Sequence, residues 1–517
     1  MSIHEEDVLG KAYDARLMRR LIAYLRPYKL QVALATAAII GHSVLELAPP
    51  YLVKLVIDQY IPAGDINGLS LVAMLYLATL AGSFALDYAQ TWVLQLTGQR
   101  IMFDMRMQIY EHLQRIDLKF YDRNPVGRLM TRVTTDVDVL NDLFTSGVVS
   151  VFGDLFTLIG IMAMMIWLDW RLAIVAFSVL PLIWLVTQWF RRNVRESYRT
   201  VRTWIARINA YLQERITGMA TVQLFRREAR DFDDFDRIDR TYRDANVQSI
   251  FFYAVFYPLI ELISALAAAL IIWVGGGWVL AGVLTLGSLV ASLQYSSRFF
   301  RPISDMSEKF NVLQGAMASS ERIFQLLDTP VEIKSESRLP TPESRIPNPE
   351  SRIGRIAFEN VTFAYVPGEP VLRNVSFTVD PGQRVAIVGA TGSGKTTIVS
   401  LLLRFYDVQE GRITIDGVDI RTMDLQRLRS LFGLVLQDVH LFSGTIGANV
   451  RLGNDAIDDG AVRRAVEAVH ASAFIDRLPT GLETPVAERG ATLSVGQKQL
   501  LSFARALAFD PPVVVLD

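Results

Sequence analysis

Six stretches of this chain are apolar for long enough to cross a lipid bilayer, near residues 31–60, 69–97, 144–168, 171–190, 251–274 and 283–302. A span needs about 20 residues at 1.5 Å rise each. A water-soluble helical core would show a polar face every 3.6 residues, and 172–189 and 265–274 show almost none. The first part of the chain therefore reads as a helical membrane domain. Pro49 and Pro50 lie in the first stretch and predict a kink or break there.

Basic residues set the expected orientation. Lys11, Arg16, Arg19, Arg20, Arg26 and Lys29 precede the first stretch, and 100–132 and 191–243 are rich in arginine. The alternate connectors, 61–67, 168–169 and 275–282, carry no Lys or Arg. Both ends and the long connectors are thus expected in the cytoplasm, in a multi-pass protein of the cell inner (plasma) membrane. Residues 1–10 are acidic and polar, unlike a cleavable signal peptide, so insertion would use the first span.

Composition narrows the chemistry. Apolar residues make up 51% and charged ones 20%, with a mean hydropathy of +0.27, a mixture that suggests an apolar half joined to a polar half. The net charge of −1 gives no basic field for nucleic acid. The absence of cysteine excludes disulfides, thiolate metal sites and thiol catalysis.

Inside the spans, His42 and Glu46 sit at i and i+4 on one helix face, and Asp87 and Glu261 are also intramembrane. Such charges cost roughly 2.5–3.5 kcal/mol at mid-membrane, so they are expected to face a bundle interior or a cavity. The simplest reading is an interhelical hydrogen bond or an interfacial position, with a substrate or proton role as the alternative, foremost for Glu261. The long connectors, 98–142 and 191–250, read as amphipathic helix interrupted once each, near Asn124 to Gly127 and near Gly218. Their limbs would extend the membrane helices about 30 Å into the cytoplasm.

Residues 331–354 hold Pro340, Pro342, Pro347 and Pro349 among Ser, Glu and Arg, and read as a flexible tether. The expected division is a cytoplasmic N-terminal segment (1–30), a transmembrane domain (31–330), a linker (331–354) and a nucleotide-binding domain (355–517). After the linker the pattern turns to short β runs, 356–363, 371–379 and 384–389, then to helices alternating with apolar strands such as 433–436 and 512–516. That is an α/β fold with an antiparallel β addition at its start.

Residues 385–388 read as a buried strand and 396–406 as a helix. Between them stand Gly389, Ala390, Thr391, Gly392, Ser393, Gly394, Lys395 and Thr396, followed by Thr397. Strand, Gly-rich loop and helix in that order mark a phosphate-binding P-loop. Its backbone N–H groups would face phosphates at a helix N-terminus. Lys395 would reach the β- and γ-phosphates of ATP and Thr396 would hold Mg²⁺. Asp517 ends the strand at 512–516 and would hold Mg²⁺ from the opposite side.

Leu493, Ser494, Val495, Gly496 and Gln497 resemble the signature motif of the ATP-binding cassette (ABC) family, with Val495 where the family's commonest motif has Gly. The resemblance extends over nearly the whole chain. It implies that Tyr365 stacks on adenine, and that Gln437, in the family's Q-loop position, stands beside the metal and the reacting phosphate. Glu488, Arg489 and Gly490 resemble a segment that contacts membrane-domain loops. Phe120, Tyr121, Asp122, Arg123 and Gly127, and Glu214, Gly218, Val222 and Phe225, resemble the two coupling regions of exporter half-transporters. The implied fold is a six-helix membrane domain of the type I exporter class fused to an α/β P-loop domain. Ser494, Gly496 and Gln497 would complete the site of a second subunit, in a homodimer or heterodimer.

The family places a catalytic Glu, a D-loop and a switch His after its Walker B Asp, the position that Asp517 matches here. This chain ends at Asp517, and none of its 5 His residues lies beyond His470. The expectation is a truncated exporter that hydrolyses ATP slowly if at all. In full-length form it would export or flip hydrophobic small molecules, lipids or peptides. A degenerate partner subunit and an ATP-switched membrane regulator are the alternatives.

Overall fold

A computed structural model describes residues 14–334 and 354–517. Most of the expected linker, including its four prolines, lies outside the described residues. The chain forms two compact units, Met1–Tyr110 with Met130–Leu327, and Glu111–Leu129 with Asp328–Asp517.

The first unit is helical. Among the described residues five segments are long and apolar enough to cross a membrane: Arg26–Ala63, Ile66–Arg115, Val151–Leu168, Trp170–Thr217 and Glu228–Leu280. They match the first five expected spans. The sixth falls on the helix Leu286–Leu327, which is not among them. Ser288, Ser292, Tyr295 and Ser296 on that helix are all buried, so it packs a polar, small-residue face against its neighbours. The 50-residue helix Ile66–Arg115 is about 75 Å long, over twice the thickness of a bilayer's hydrocarbon core. Only 6% of its most apolar window is buried within the chain, as a lipid-facing or subunit-facing surface requires.

Pro49 and Pro50 do not break the first span; both are buried inside the helix Lys29–Leu55. Each proline removes one backbone donor, and Pro50 leaves the Glu46 carbonyl without its i+4 partner. Arg298 Nη1 donates to that carbonyl at 2.7 Å, and the Tyr295 hydroxyl donates to the Leu47 carbonyl at 2.5 Å. Arg298 thus satisfies the acceptor that Pro50 frees.

Beyond Leu55 the helix widens into a π turn, Val56–Tyr60. The turn carries Asp58 to the start of the last long helix. Asp58 Oδ1 accepts from Gly287 N at 2.7 Å and Oδ2 from Thr285 Oγ1 at 2.6 Å. A Cβ at position 287 would stand 2.6 Å from the Lys54 carbonyl oxygen, so only glycine admits this contact. Leu172, Ala267, Ile271 and Tyr295, contributed by separate helical segments, meet in one fully buried cluster.

The long connectors are more interrupted than expected. After Arg115 come the helices Leu118–Arg123, Val126–Val133 and Thr135–Asp142, which makes three breaks rather than one. Asn124 is extended because Pro125 follows it. In the other connector a single short helix, Met219–Leu224, stands between Leu180–Thr217 and Glu228–Leu270. Asp136 fixes the first connector to the last long helix. Its Oδ2 accepts from Arg322 Nε at 3.0 Å and its Oδ1 from Ser319 Oγ at 2.9 Å.

The second unit opens with a four-stranded antiparallel sheet in the order β2-β1-β3-β4. Its strands are β1 (Ile356–Phe363), β2 (Leu372–Val379), β3 (Glu410–Ile415) and β4 (Val418–Asp419). Phe358 and Phe377 pair across it, ring centroids 4.5 Å apart. β5 (Phe432–Val435) then pairs in parallel with β8 (Val513–Leu516), and β6 (Gly444–Thr445) pairs with β7 (Pro485–Val486). A separate helical core gathers Ile446, Val462, Ile475, Leu501 and Ala504.

Two expectations fail here. Residues 385–388 form no strand, and Val388 is 87% exposed. No described strand lies alongside to bond this segment, and unpaired backbone does not make a sheet. β8, the strand expected at 512–516, exposes Val514 and Leu516, which alternate with half-buried neighbours. The helix expected at 396–406 is shorter, Lys395–Leu402.

Candidate nucleotide site

The loop before the helix Lys395–Leu402 takes its shape from two glycines at positive φ, Gly392 (+83°) and Gly394 (+91°). A side chain at 394 would also meet Leu372 Cδ2 at 2.8 Å. Gly394 is the N-cap and supplies no side-chain oxygen. The first-turn N–H groups therefore remain open to an anion, where the helix dipole favours one. Lys395 folds back on the loop, its Nζ donating to the carbonyls of Gly389 at 3.0 Å and Ala390 at 2.9 Å.

Thr396 Oγ1 donates to Asp517 Oδ1 at 3.0 Å, across a sequence separation of 121 residues. The parallel pairing explains how they meet. Val435 is paired with Leu516, and Asp517 N donates to the Val435 carbonyl at 3.0 Å. The two strands end together, which brings exposed Gln437 and Asp517 past the same edge. Among the described residues no group of three His, Cys, Asp or Glu side chains could hold a metal. A hydroxyl beside one carboxylate oxygen instead suits a hard cation that keeps water and phosphate oxygens as its other ligands. The residues present therefore fit Mg²⁺.

Tyr365 reaches the loop from the sheet side. Its hydroxyl donates to Thr397 Oγ1 at 3.2 Å, and its ring meets the Tyr406 ring edge-on at 5.1 Å. Thr397 is buried and accepts the Tyr365 hydroxyl. Ser494, Gly496 and Gln497 stand elsewhere in this unit, at the start of the helix Val495–Ala508. Ser494 and Gln497 form a capping box: Ser494 N donates to Gln497 Oε1 at 2.8 Å and Gln497 N to Ser494 Oγ at 3.3 Å. Among the described residues no hydrogen bond joins them to the P-loop of the same chain. Val495 is 74% exposed, so its side chain leaves the box undisturbed.

The short helix Leu118–Arg123 belongs to this unit. Arg123 Nη2 donates to the Tyr365 carbonyl at 3.3 Å, and the Tyr406 hydroxyl donates to the Asp122 carboxylate. Burial, then the bond to Asp122, pushes the Tyr406 phenol well above its ordinary value. Asp117 accepts from Glu332 N at 2.7 Å and Ile333 N at 3.1 Å, and Lys119 pairs with Glu332 at 2.8 Å. The membrane-domain connector therefore touches the residue expected against adenine. Tyr406 carried no sequence signal, since an aromatic after a helix is ordinary.

The segment expected as the second coupling region is exposed at its tip. Leu224 and Phe225 at its tip are 77% and 68% exposed. Of the intramembrane charges, His42 Nε2 lies 3.9 Å from Glu46 Oε2, and its Nδ1 lies 3.0 Å from Ser83 Oγ. Asp87 and Glu261, expected to face an interior, are exposed in the single chain.

Residues 32–303 match the ABC transporter transmembrane region family and residues 372–517 the ABC transporter family. An uncharacterized ABC transporter ATP-binding protein, YknV of Bacillus subtilis (strain 168), is 35% identical over 99% of this chain and 84% of its own length. A probable multidrug resistance ABC transporter ATP-binding/permease protein of the same organism, YheH, is 37% identical over 88% of this chain and 66% of its own length. An ATP-dependent lipid A-core flippase of Desulfotalea psychrophila (strain LSv54 / DSM 12343) is 34% identical over 98% of this chain and 87% of its own length. With membrane-spanning helices and an ATP-binding P-loop domain on one polypeptide, the chain belongs to the ABC transporter family, as a half-transporter of the bacterial exporter type.

Proposed function

We propose that this chain is one subunit of a dimer that uses ATP to export or flip hydrophobic or amphipathic molecules across the cell inner membrane, with its nucleotide-binding unit in the cytoplasm. The observation that carries this is the Thr396–Asp517 contact beside an open P-loop, in a chain whose other half is membrane helix. Relatives named for multidrug resistance, fatty acid transport and lipid A-core flipping support the substrate class.

Lys395 would exchange its two loop carbonyls for the β- and γ-phosphates, and Thr396 and Asp517 would hold Mg²⁺. When bound, that ion supplies positive charge to the phosphate oxygens. Tyr365 would orient the base, and Gln437 would stand beside the ion. Ser494, Gly496 and Gln497 would meet the nucleotide of the second subunit, which agrees with the lack, among the described residues, of any hydrogen bond to their own P-loop. The helix Leu118–Arg123 touches Tyr365 through Arg123, so closure around nucleotide would pull on the helices that flank it. That is a two-state element biased by a ligand.

Inverted membrane vesicles containing the protein test this directly. ATP should drive a hydrophobic dye into the vesicle lumen, and Lys395→Met should stop it. Dye uptake that is indifferent to ATP would overturn the proposal.

A further inference from the structure

The turn just ahead of the signature segment is held by a side chain that has no part in binding nucleotide. Glu488–Gly490 is a short helical turn with two successive residues in the left-handed region, Arg489 (φ +54°) and Gly490 (φ +64°). Glycine adopts that conformation freely, and arginine does so rarely. A Cβ at 490 would stand 2.9 Å from Leu441 Cδ1 and 3.2 Å from Lys498 Cε, so the turn packs closely on both. Lys498 Nζ donates to the Arg489 carbonyl at 2.9 Å. One cationic donor thus ties down the unusual peptide.

Lys498 lies in the opening turn of the helix Val495–Ala508, the end where the helix dipole disfavours a cation. It makes no ion pair among the described residues. Neither helix stability nor charge pairing accounts for a lysine here, and the Arg489 carbonyl does. The effect reaches the signature segment by a short route. Leu493 N donates to the Gly490 carbonyl at 2.9 Å, and Lys498 N to the Ser494 carbonyl at 3.0 Å. The turn, Ser494 and Lys498 therefore close a ring of bonds around the start of the helix. Arg505 on the same helix donates to the His440 carbonyl at 3.1 Å, which bonds the helix also to the segment that follows Gln437.

We propose that Lys498 is a positioning residue. By holding the Arg489 carbonyl it fixes the turn that carries Leu493 and Ser494, and so aims Ser494 at the nucleotide of the second subunit. It touches no nucleotide itself and acts through Ser494. The proposal rests on the dimer reading given above.

The chain has no cysteine, so the pair Ala390→Cys and Val495→Cys reports, without background, the approach of one subunit's P-loop to another's signature segment. In full-chain protein in detergent, ATP with Mg²⁺ should raise the yield of disulfide-linked dimer. Adding Lys498→Met keeps the stem that packs on Gly490 and should lower that yield about fivefold or more, through loss of one charged donor. Lys498→Arg keeps a cationic donor and should recover most of it. Relative to the same cysteine background, a fluorescent ATP analogue should bind both variants within about twofold, because the P-loop is a separate site. Trypsin cleavage of the Arg489–Gly490 bond, read by mass spectrometry, should quicken about fivefold or more in Lys498→Met as the turn loosens.

Equal cross-linking with and without Lys498→Met, or a Lys498→Arg variant no better than Lys498→Met, overturns the proposal. Should Lys498→Met misfold, Lys498→Gln, which also removes the cation, is held to the same criteria. A cysteine background that never cross-links sinks the dimer reading instead, and unchanged cleavage at Arg489 then overturns the clamp on its own.

Discussion

Arg298 Nη1 donates at 2.7 Å to the main-chain oxygen of Glu46, the carbonyl whose own helix donor is removed by Pro50. An arginine inside a membrane helix is costly, and here it meets a backbone need that the same unit creates. Arg298→Met should destabilise the protein by about 1–3 kcal/mol, the cost of leaving a half-buried acceptor unmade. Pro50→Ala restores a backbone N–H, so the double variant should lose less than Arg298→Met alone. Thermal unfolding in detergent reads the cycle, and strictly additive losses would refute the pairing.

Thr396 and Asp517 should act together on the metal and not on the nucleotide alone. Thr396→Val is expected to leave the affinity for metal-free ATP within about twofold while removing most of the gain from added Mg²⁺. Lys395→Met should weaken ATP about tenfold or more under either condition, a loss of roughly 1.4 kcal/mol or above. Equilibrium binding of a fluorescent ATP analogue, with and without Mg²⁺, distinguishes the two patterns.

Tyr406→Phe removes the hydroxyl bonded to Asp122 and should cost about 1 kcal/mol, the lower range for a bond to a charged acceptor. The phenol lies above its unfolded value. Its contribution is therefore complete below the unfolded phenol value of about 10 and is lost as pH rises through the higher folded value. The difference in Tm between the parent and Tyr406→Phe should stay constant from pH 7 to pH 9 and shrink only in stronger alkali. A difference that already falls between pH 7 and pH 9 would contradict the assignment.

The capping box gives the signature segment its own test. Ser494→Ala should cost about 1 kcal/mol of stability. Val495→Gly should change stability by less than about 1 kcal/mol, because the side chain is 74% exposed at the first helical position. Urea unfolding followed by circular dichroism measures both. An equal loss from the two would mean that Val495 packs against something in the folded protein.

Much of the architecture was legible because its signals are local. Runs of apolar residues locate five membrane helices, and glycines at fixed spacing ahead of an apolar helix locate the P-loop. The sixth expected span, at 283–302, falls on the helix Leu286–Leu327, and only packing shows that Ser288, Ser292 and Ser296 are buried there. The strand expected at 385–388 failed, since its apolar pattern was present and a bonded neighbour was not. A strand is a property of at least two segments, and one segment's sequence reports only half of it.

Composition and periodicity by themselves pointed to a membrane helical domain joined to a nucleotide-binding one, and the spacing of glycines gave the residues expected to face phosphate. Tertiary structure alone decided that Thr396 meets Asp517, that Arg298 repairs the helix at Pro50, and that Tyr406 holds Asp122. Each of these contacts spans more than a hundred residues of chain. Hydropathy and turn chemistry act over a few residues, whereas a hydrogen bond between distant segments exists only after packing fixes both partners.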